Sequence, residues 1–125
     1  METQNLWPDF PVEAAKSPKA ILREQAGYLM AKTNNILSAE IETLQSLKQL
    51  ITHNFYVVAP AINNYRYQLL SVAHSVFFYP LTIAANGYVY EIENQEDFIN
   101  KLSEVFNQPD TVQVISSLLA QSLAE

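Results

Sequence analysis

The chain has 125 residues, of which 49% are hydrophobic, it contains no cysteine, and its formal net charge is −6. This length and composition predict a single domain, residues 1–125, while the absence of cysteine excludes disulfides, thiol chemistry and zinc sites with thiolate ligands. Seven acids and one base lie in residues 91–125, and this acidic C-terminal part argues against nucleic acid as a partner.

The first segment of the chain, residues 1–17, is predicted to be an extended arm. Pro8 and Pro11 lie close together in it and disfavour a helix. We expect Trp7 and Phe10 to anchor this arm on the core of the domain, because aromatic side chains tend to be buried. The alternative interpretation is that the two side chains reach into a neighbouring subunit.

A helix is predicted over about residues 18–33. Ser17 followed by Pro18 is typical of an N-cap and a first helical residue, and apolar residues recur behind them at helical spacing. Gly27 lies inside this helix, where we expect it to permit close contact with a strand.

The next segment, residues 36–51, fits two kinds of structure. Ala39 and Ile41 alternate with acidic residues, which predicts a one-sided strand over about residues 36–45. Leu37, Ile41 and Leu44 also fit the face of a helix, and the composition favours helix. We favour the strand, because the sheet predicted next needs neighbouring strands.

The central part of the chain is its most apolar part. Between Lys48 and Glu91 the only formal charge is that of Arg66. This part is rich in Tyr, Phe, Val and Ile, which suit a half-buried sheet. We predict four antiparallel strands there, at about residues 53–60, 65–74, 76–85 and 88–93.

Asn86-Gly87 is the clearest turn signal in the sequence. Both residue types tolerate positive φ angles, as a two-residue type I′ hairpin requires. A hairpin with this turn pairs Ala85 with Tyr88, and it directs Thr82, Val89, Glu91 and Glu93 to the wetter of the two sheet faces.

Two helices are predicted after the sheet, over about residues 95–107 and 110–123. Asn94 is expected to cap the first helix, and Asp110 with Gln113 resembles a capping box for the second. Four apolar residues of the last helix are expected to face inward: Val112, Ile115, Leu119 and Leu123. The predicted fold class is therefore α+β, with an antiparallel sheet of four to five strands packed against three helices.

The sequence lacks the patterns that identify common enzyme families. It contains two glycines, too few for a glycine-rich phosphate loop, a dinucleotide fingerprint or a nucleophile elbow. It has no recognisable metal-binding motif either. We therefore predict no catalytic residue, no metal site and no cofactor, and we favour a non-enzymatic protein over an enzyme.

His53 and His74 are the two histidines of the chain. They face each other directly if the hairpin that joins their strands is centred between Asn63 and Asn64, and a shift of the centre leaves them diagonal. One interpretation is a titrating pair that shuttles a proton or binds a metal. The other, which we favour, is two polar residues at the end of a hairpin, one or both of them solvated, because no third ligand or nearby acid accompanies them.

Arg66 is the other candidate site residue of the central part. Strict alternation along its strand places Arg66 on one face with Gln68 and His74, and Tyr65 and Tyr67 on the other. One interpretation is that Arg66 binds an anionic ligand or a partner's carboxylate. We favour instead an ion pair within the chain, with an acid from the C-terminal region.

The number of tyrosines is the main reason for predicting a protein interface. The sequence has seven tyrosines, a residue enriched at interfaces, and a sheet with two apolar faces needs cover on both. We expect a small cytoplasmic, non-enzymatic interaction or accessory protein, without a signal peptide or membrane span, that forms a homodimer or binds a protein partner through a tyrosine-rich sheet face. The alternative is a domain that binds a small, anionic molecule, or an unrecognised enzyme, with a pocket lined by Arg66, His74, His53, Tyr65 and Tyr67.

Overall fold

The fold consists of one antiparallel sheet and three helices, an α+β architecture, as the sequence predicts. The computed structural model describes residues 3–11, 16–46 and 48–124. Each strand pairs with the next along the chain, so that the order in the sheet is β1-β2-β3-β4-β5. The elements are α1 (Pro18–Lys32), β1 (Ser38–Gln45), β2 (Ile51–Ala59), β3 (Tyr65–His74), β4 (Leu81–Ala85), β5 (Tyr88–Ile92), α2 (Gln95–Phe106) and α3 (Pro109–Ala124), with a short 3₁₀ turn at Pro60–Ile62.

Helix α1 begins where the sequence predicts. The Ser17 hydroxyl accepts a hydrogen bond from the Ala20 amide at 3.1 Å, and Pro18 follows as the first helical residue. The role expected for Gly27 is wrong: the residue is exposed, and a Cβ added there meets no atom within 4 Å. This glycine therefore does not serve a close contact between α1 and the sheet.

Strand β1 resolves the two interpretations of residues 36–51 in favour of a strand. Ile41 pairs with Phe55 of β2, and the ladder continues to the pair of Gln45 with Ile51. The hydrogen bonds of this ladder outweigh the helix propensity of the segment, because intrinsic propensities amount to only a few tenths of a kcal/mol per residue. Leu47, in the connection to β2, lies outside the described residues.

The β2–β3 hairpin contains a β-bulge that was not predicted from the sequence. Tyr56 pairs with Gln68, whereas Phe55 pairs with Leu70, which leaves Leu69 unpaired between them. Both Leu69 and Leu70 belong to the core, so side chains beyond the bulge face the opposite way from strict alternation. His53 pairs with Val72. The direct pairing of His53 with His74 is therefore wrong, and the diagonal alternative is the one observed.

Strand β4 is shorter than predicted. It begins at Leu81 rather than at residue 76, and residues 75–80 form a loop that contains a cis peptide bond between Tyr79 and Pro80. Pro80 has no amide hydrogen to donate to a ladder, which explains why the strand begins only after it. Because β4 pairs with β3 only from Ser71 to His74, the first half of β3 has β2 as its single neighbour among the described strands.

The β4–β5 hairpin has the predicted register. Asn86 and Gly87 have φ angles of 54° and 81°, and Ala85 pairs with Tyr88 across the turn. Thr82, Glu91 and Val89 share the sheet face away from the helices, in agreement with the pairing. The backbone requirement of the turn thus fixes which face of both strands is buried.

The two C-terminal helices are confirmed, with one difference in the orientation of the second. Asn94 caps α2 and accepts a hydrogen bond from the Asp97 amide at 2.9 Å. Helix α3 begins at Pro109, so Asp110 lies in its first turn rather than at its cap. Its predicted inward face is partly wrong, since Val112 and Leu123 are 49% and 70% exposed. Thr111 is buried instead, and its hydroxyl donates a hydrogen bond to the Val105 carbonyl at 2.8 Å.

All three helices pack on the same face of the sheet. The core contains Leu22 of α1, Leu102 of α2 and Leu118 of α3, together with Val57 and Ile83 of the sheet. The opposite face carries mostly polar side chains, and in the ranges that the structure describes no helix covers it. The expectation that both faces are largely apolar is therefore wrong.

The N-terminal arm does not pack on the core as expected. Trp7 and Phe10 are 75% and 69% exposed, and their ring centroids lie 6.0 Å apart. The two rings contact each other and remain open to solvent. Among the helices described, none is both long and apolar enough to cross a membrane.

Candidate functional site

His53 and His74 form a buried, hydrogen-bonded pair on the helix-facing side of the sheet. Their Nε2 atoms lie 2.9 Å apart, and the two residues are 3% and 5% exposed. The expectation that one or both histidines are solvated is therefore wrong, because both strands turn these side chains towards the core. His53 Nδ1 lies 3.0 Å from the Thr43 hydroxyl, and His74 Nδ1 lies 2.6 Å from the Ser75 carbonyl oxygen. All four ring nitrogens therefore have a partner, in a row that runs from β1 through β2 and β3 to the following loop.

The partners determine which nitrogen atoms carry hydrogen. A carbonyl oxygen only accepts, so His74 Nδ1 must donate to Ser75. In a neutral pair, His74 Nε2 then accepts from His53 Nε2, and the Thr43 hydroxyl donates to His53 Nδ1. One added proton makes His53 Nδ1 donate to the Thr43 hydroxyl and still leaves a single hydrogen between the two Nε2 atoms, whereas two added protons would set two donors against each other.

Burial keeps the pKa of His53 low. The pKa falls from 6.5 to about 4 because the ring is removed from water, and the positive charges of His74 and Lys19 lower it further. His53 is therefore neutral around pH 7. Within the three ranges of residues that the structure describes, no cluster of three or more His, Asp or Glu side chains could hold a metal ion.

Arg66 lies on the opposite face of the sheet from the histidine pair. Its Nε is 3.3 Å from Glu40 Oε2, and its guanidinium lies 4.0 Å above the ring of Tyr56. The intramolecular ion pair is thus observed, but its acid belongs to β1 and not to the C-terminal region. The shared face predicted for Arg66 and His74 is wrong, because the bulge at Leu69 lies between them and reverses the alternation.

A polar network surrounds Arg66 on this outer face. The Asn54 side-chain oxygen accepts hydrogen bonds from the Ser71 hydroxyl at 2.8 Å and from Gln68 Nε2 at 3.3 Å. Tyr56 donates to Glu42 at 3.4 Å. Sequence reasoning missed this network. The alternation of polar residues in β2 could have indicated a polar outer face, but the hydrogen-bond partners on β3 depend on the register shift at the bulge.

Tyr65 and Tyr67 line a cleft between β3 and α3, which we call the α3 cleft. Its volume is about 420 Å³. Its walls are three apolar side chains, three polar side chains and the two tyrosines: Ile62, Val114, Leu118, Gln113, Ser117, Gln121, Tyr65 and Tyr67. None of these residues is charged. The cleft therefore offers aromatic and aliphatic surface with amide and hydroxyl groups at its polar positions.

A second cleft of about 340 Å³ lies between α1, the sheet and the junction of α2 and α3. Phe55, Leu69 and Phe106 form its apolar wall, and Tyr28 and Lys32 also line it. None of the five predicted site residues lines this cleft. It was not predicted, because it depends on how the three helices pack against one another.

The five predicted site residues thus belong to three separate places. The histidine pair is buried, Arg66 lies on the outer face, and Tyr65 and Tyr67 line the α3 cleft. The structure brings His53 and His74 together and does not form one pocket from all five. Comparisons of the chain with protein-family models, curated proteins and solved structures find no match.

Proposed function

We propose that the protein is a non-enzymatic interaction or accessory protein that binds a second copy of itself through the tyrosine-rich part of its sheet. The tyrosine surface consists of Tyr65 and Tyr67 on β3 and Tyr88 and Tyr90 on β5, all on the helix-facing side. The observation that carries the proposal is that Tyr65 and Tyr88 remain 49% and 66% exposed on this side.

Partly exposed tyrosines on a rigid sheet suit a protein interface. Each ring presents apolar area while its hydroxyl can still form a hydrogen bond, and tyrosine loses little side-chain entropy when it is fixed. The neighbouring α3 cleft adds a concave apolar wall. The described residues that line it carry no charge, so a second protein surface can approach without desolvating an ion.

The arrangement of the histidines supports a non-enzymatic role. A general base needs a ring nitrogen that faces the substrate. Both nitrogens of His53 and both of His74 are engaged within the protein, with Thr43, with each other and with Ser75. This bonding favours a structural task for the pair.

We also propose a cytoplasmic location, which the absence of cysteine from the sequence permits and which subcellular fractionation would test.

A small-molecule binding domain is the second candidate, and the cleft beside α1 favours it. Its apolar wall with Lys32 suits an anionic ligand with an apolar body. Arg66 and His74, placed on opposite faces, do not converge on one ligand. A thermal-shift screen with metabolites would support this candidate if an anionic compound raises the melting temperature of the wild type and not that of Lys32→Ala.

Sedimentation velocity over the micromolar range tests the main proposal. We expect the wild type to form a dimer, and we expect Tyr65→Ser combined with Tyr88→Ser to raise the dissociation constant roughly tenfold or more, as the truncation of hot-spot tyrosines does. Tyr28→Ser is the matched control, because Tyr28 lies on α1 and is 60% exposed. Arg66→Ala, on the outer face, should also leave association unchanged. A wild type that stays monomeric throughout contradicts the proposal.

A further inference from the structure

We propose that residues 7–11 of the arm of one copy dock into the α3 cleft of a second copy, so that Trp7 and Phe10 contact the partner's tyrosine surface. This inference rests on the proposed self-association and names the two segments that carry it. The arm presents aromatic side chains that its own chain leaves exposed, and the cleft presents an aromatic and uncharged wall.

The arm has a conformation that is largely fixed before binding. Its sequence at positions 7–11 is Trp-Pro-Asp-Phe-Pro. Pro8 and Pro11 fix their own φ angles near those of polyproline II, and each restricts the preceding aromatic residue to extended conformations. The segment thus contains two prolines separated by two residues, the spacing that docks in aromatic-lined grooves, and it loses little backbone entropy on binding.

The α3 cleft has the groups that such a segment requires. Tyr65 and Tyr67 offer ring faces for the prolines and aromatics, and Leu118 lies among the apolar side chains. A polyproline II segment has no internal hydrogen bonds, so its carbonyl groups need donors from the partner. The Gln113 and Gln121 amides and the tyrosine hydroxyls are donors of this kind. Asp9 of the arm meets no acid among the cleft residues.

The surface area that an exchange of arms would bury favours a second copy of the chain as the occupant of the α3 cleft. In the single chain, Trp7 and Phe10 are 75% and 69% exposed, and none of the described arm residues lines the α3 cleft. If two copies exchange arms about a two-fold axis, four aromatic side chains become buried, which removes on the order of 600–1,000 Å² from water. The cleft walls add a similar area, and the total of roughly 1,200–2,000 Å² is that of a stable protein–protein interface.

Fluorescence of Trp7 tests the inference directly, because it is the single tryptophan of the sequence. We expect the emission of the wild type to move to shorter wavelength as the protein concentration rises and the dimer forms. We expect Tyr65→Asp, a change at a half-exposed position, to keep the emission of a solvated indole at every concentration. Tyr28→Asp should behave as the wild type.

Mixing two variants separates docking between copies from docking within one copy. Trp7→Ala has an intact cleft and no fluorescent reporter, whereas Tyr65→Asp has an intact arm and an altered cleft. If the arm docks in trans, adding Trp7→Ala moves the emission of Tyr65→Asp to shorter wavelength. An unchanged emission overturns the inference, and so does a wild-type emission at short wavelength that does not depend on concentration.

Sedimentation of the same samples distinguishes this inference from the function on which it rests. Dimers in which Trp7 keeps a solvated emission overturn the docking of the arm and leave self-association through the tyrosine surface in place. A monomer at every concentration overturns both. Weakening of the dimer by Trp7→Ala by roughly tenfold or more, the effect expected of a central interface tryptophan, supports the inference.

Discussion

His53 is kept neutral by its surroundings, so that adding a proton to its ring lowers the stability of the folded state relative to the unfolded state. Removal from water is the largest contribution to its low pKa, followed by the charges of His74 and Lys19. The bond between the two rings accommodates one proton and not two. A histidine pair with these partners therefore adds stability only while at least one ring remains neutral.

Stability should fall as the pH is lowered from about 6.5 towards 4. In this window the unfolded chain binds a proton at His53 and the folded chain does not, because the folded pKa is about 4 against an ordinary 6.5. By linkage, the free energy of unfolding then decreases with falling pH, by on the order of 3 kcal/mol over the whole window. Urea unfolding at pH 7.5, about 6 and about 4.5 measures this change.

His53→Gln is the control for this prediction. Glutamine cannot titrate, so the variant should lose less stability between pH 6.5 and 4 than the wild type, although it is less stable at pH 7 because the bonds to Thr43 and His74 change. Carboxylates titrate in both proteins and cancel in the comparison. Equal pH slopes for the two proteins would show that His53 does not carry the effect.

The sequence predicts the proximity of the two histidines and not their bonding. Their positions on a hairpin place them near each other in either register considered. The choice between direct and diagonal pairing depends on the bulge at Leu69, which no glycine or proline marks. The tautomer of the pair depends on the Ser75 carbonyl oxygen, and its position is set by a loop that strand propensities do not describe.

Among the elements, the β4–β5 hairpin depends most directly on one residue. Gly87 has a φ angle of 81°, a conformation that L side chains rarely adopt, although a Cβ at this position would meet no atom within 4 Å. The expected penalty of Gly87→Ala is therefore a backbone penalty, not a steric clash with a neighbour. Residues in the left-handed region pay roughly 1–2 kcal/mol when they carry a side chain.

Two glycine-to-alanine substitutions should change stability in opposite directions. Gly87→Ala is expected to lower the free energy of unfolding by about 1 kcal/mol for the reason just given. Gly27→Ala should raise it by up to about 1 kcal/mol, since alanine favours helix and the added Cβ has open space around it. Equilibrium urea unfolding of the two variants and the wild type measures both changes. Destabilisation by Gly27→Ala would mean that its position in α1 has another role.

Elements with a strong local signal are predicted well, and elements fixed by packing are not. Asn86-Gly87 and the Ser17-Pro18 start of α1 specify their structures within a few residues of sequence. Helix α3 is apolar around most of its circumference, so periodicity does not select its buried face. The buried face is the one that carries Thr111 and Leu118, and the hydrogen bond from Thr111 to Val105 on that face is visible only in three dimensions.

At the scale of the whole molecule, charge opposes the proposed association of two copies. Each chain carries a net charge of −6, and none of the lining residues that the structure describes for the α3 cleft is charged. The attraction between copies is thus expected to be apolar, while the repulsion between them is electrostatic and acts over distances comparable to the Debye length, about 10 Å at 0.1 M salt.

Added salt should therefore strengthen the dimer. Screening reduces the repulsion, so we expect the dissociation constant to fall several-fold between about 0.05 M and 0.5 M sodium chloride. Sedimentation velocity at both salt concentrations measures the change, with sucrose at matched density as the control for solution properties. A dimer that weakens with salt would indicate that ion pairs, such as those available to Arg66, hold the copies together.

The arrangement of the strands has a consequence for how the chain reaches this structure. The order in the sheet follows the order of the sequence, and every strand finds its neighbour after a short connection. Chains whose contacts are near in sequence close small loops first and generally fold fast. The sheet can form pair by pair as the polypeptide leaves the ribosome, and only α2 and α3, made last, must return to β5 and β2 to cover it.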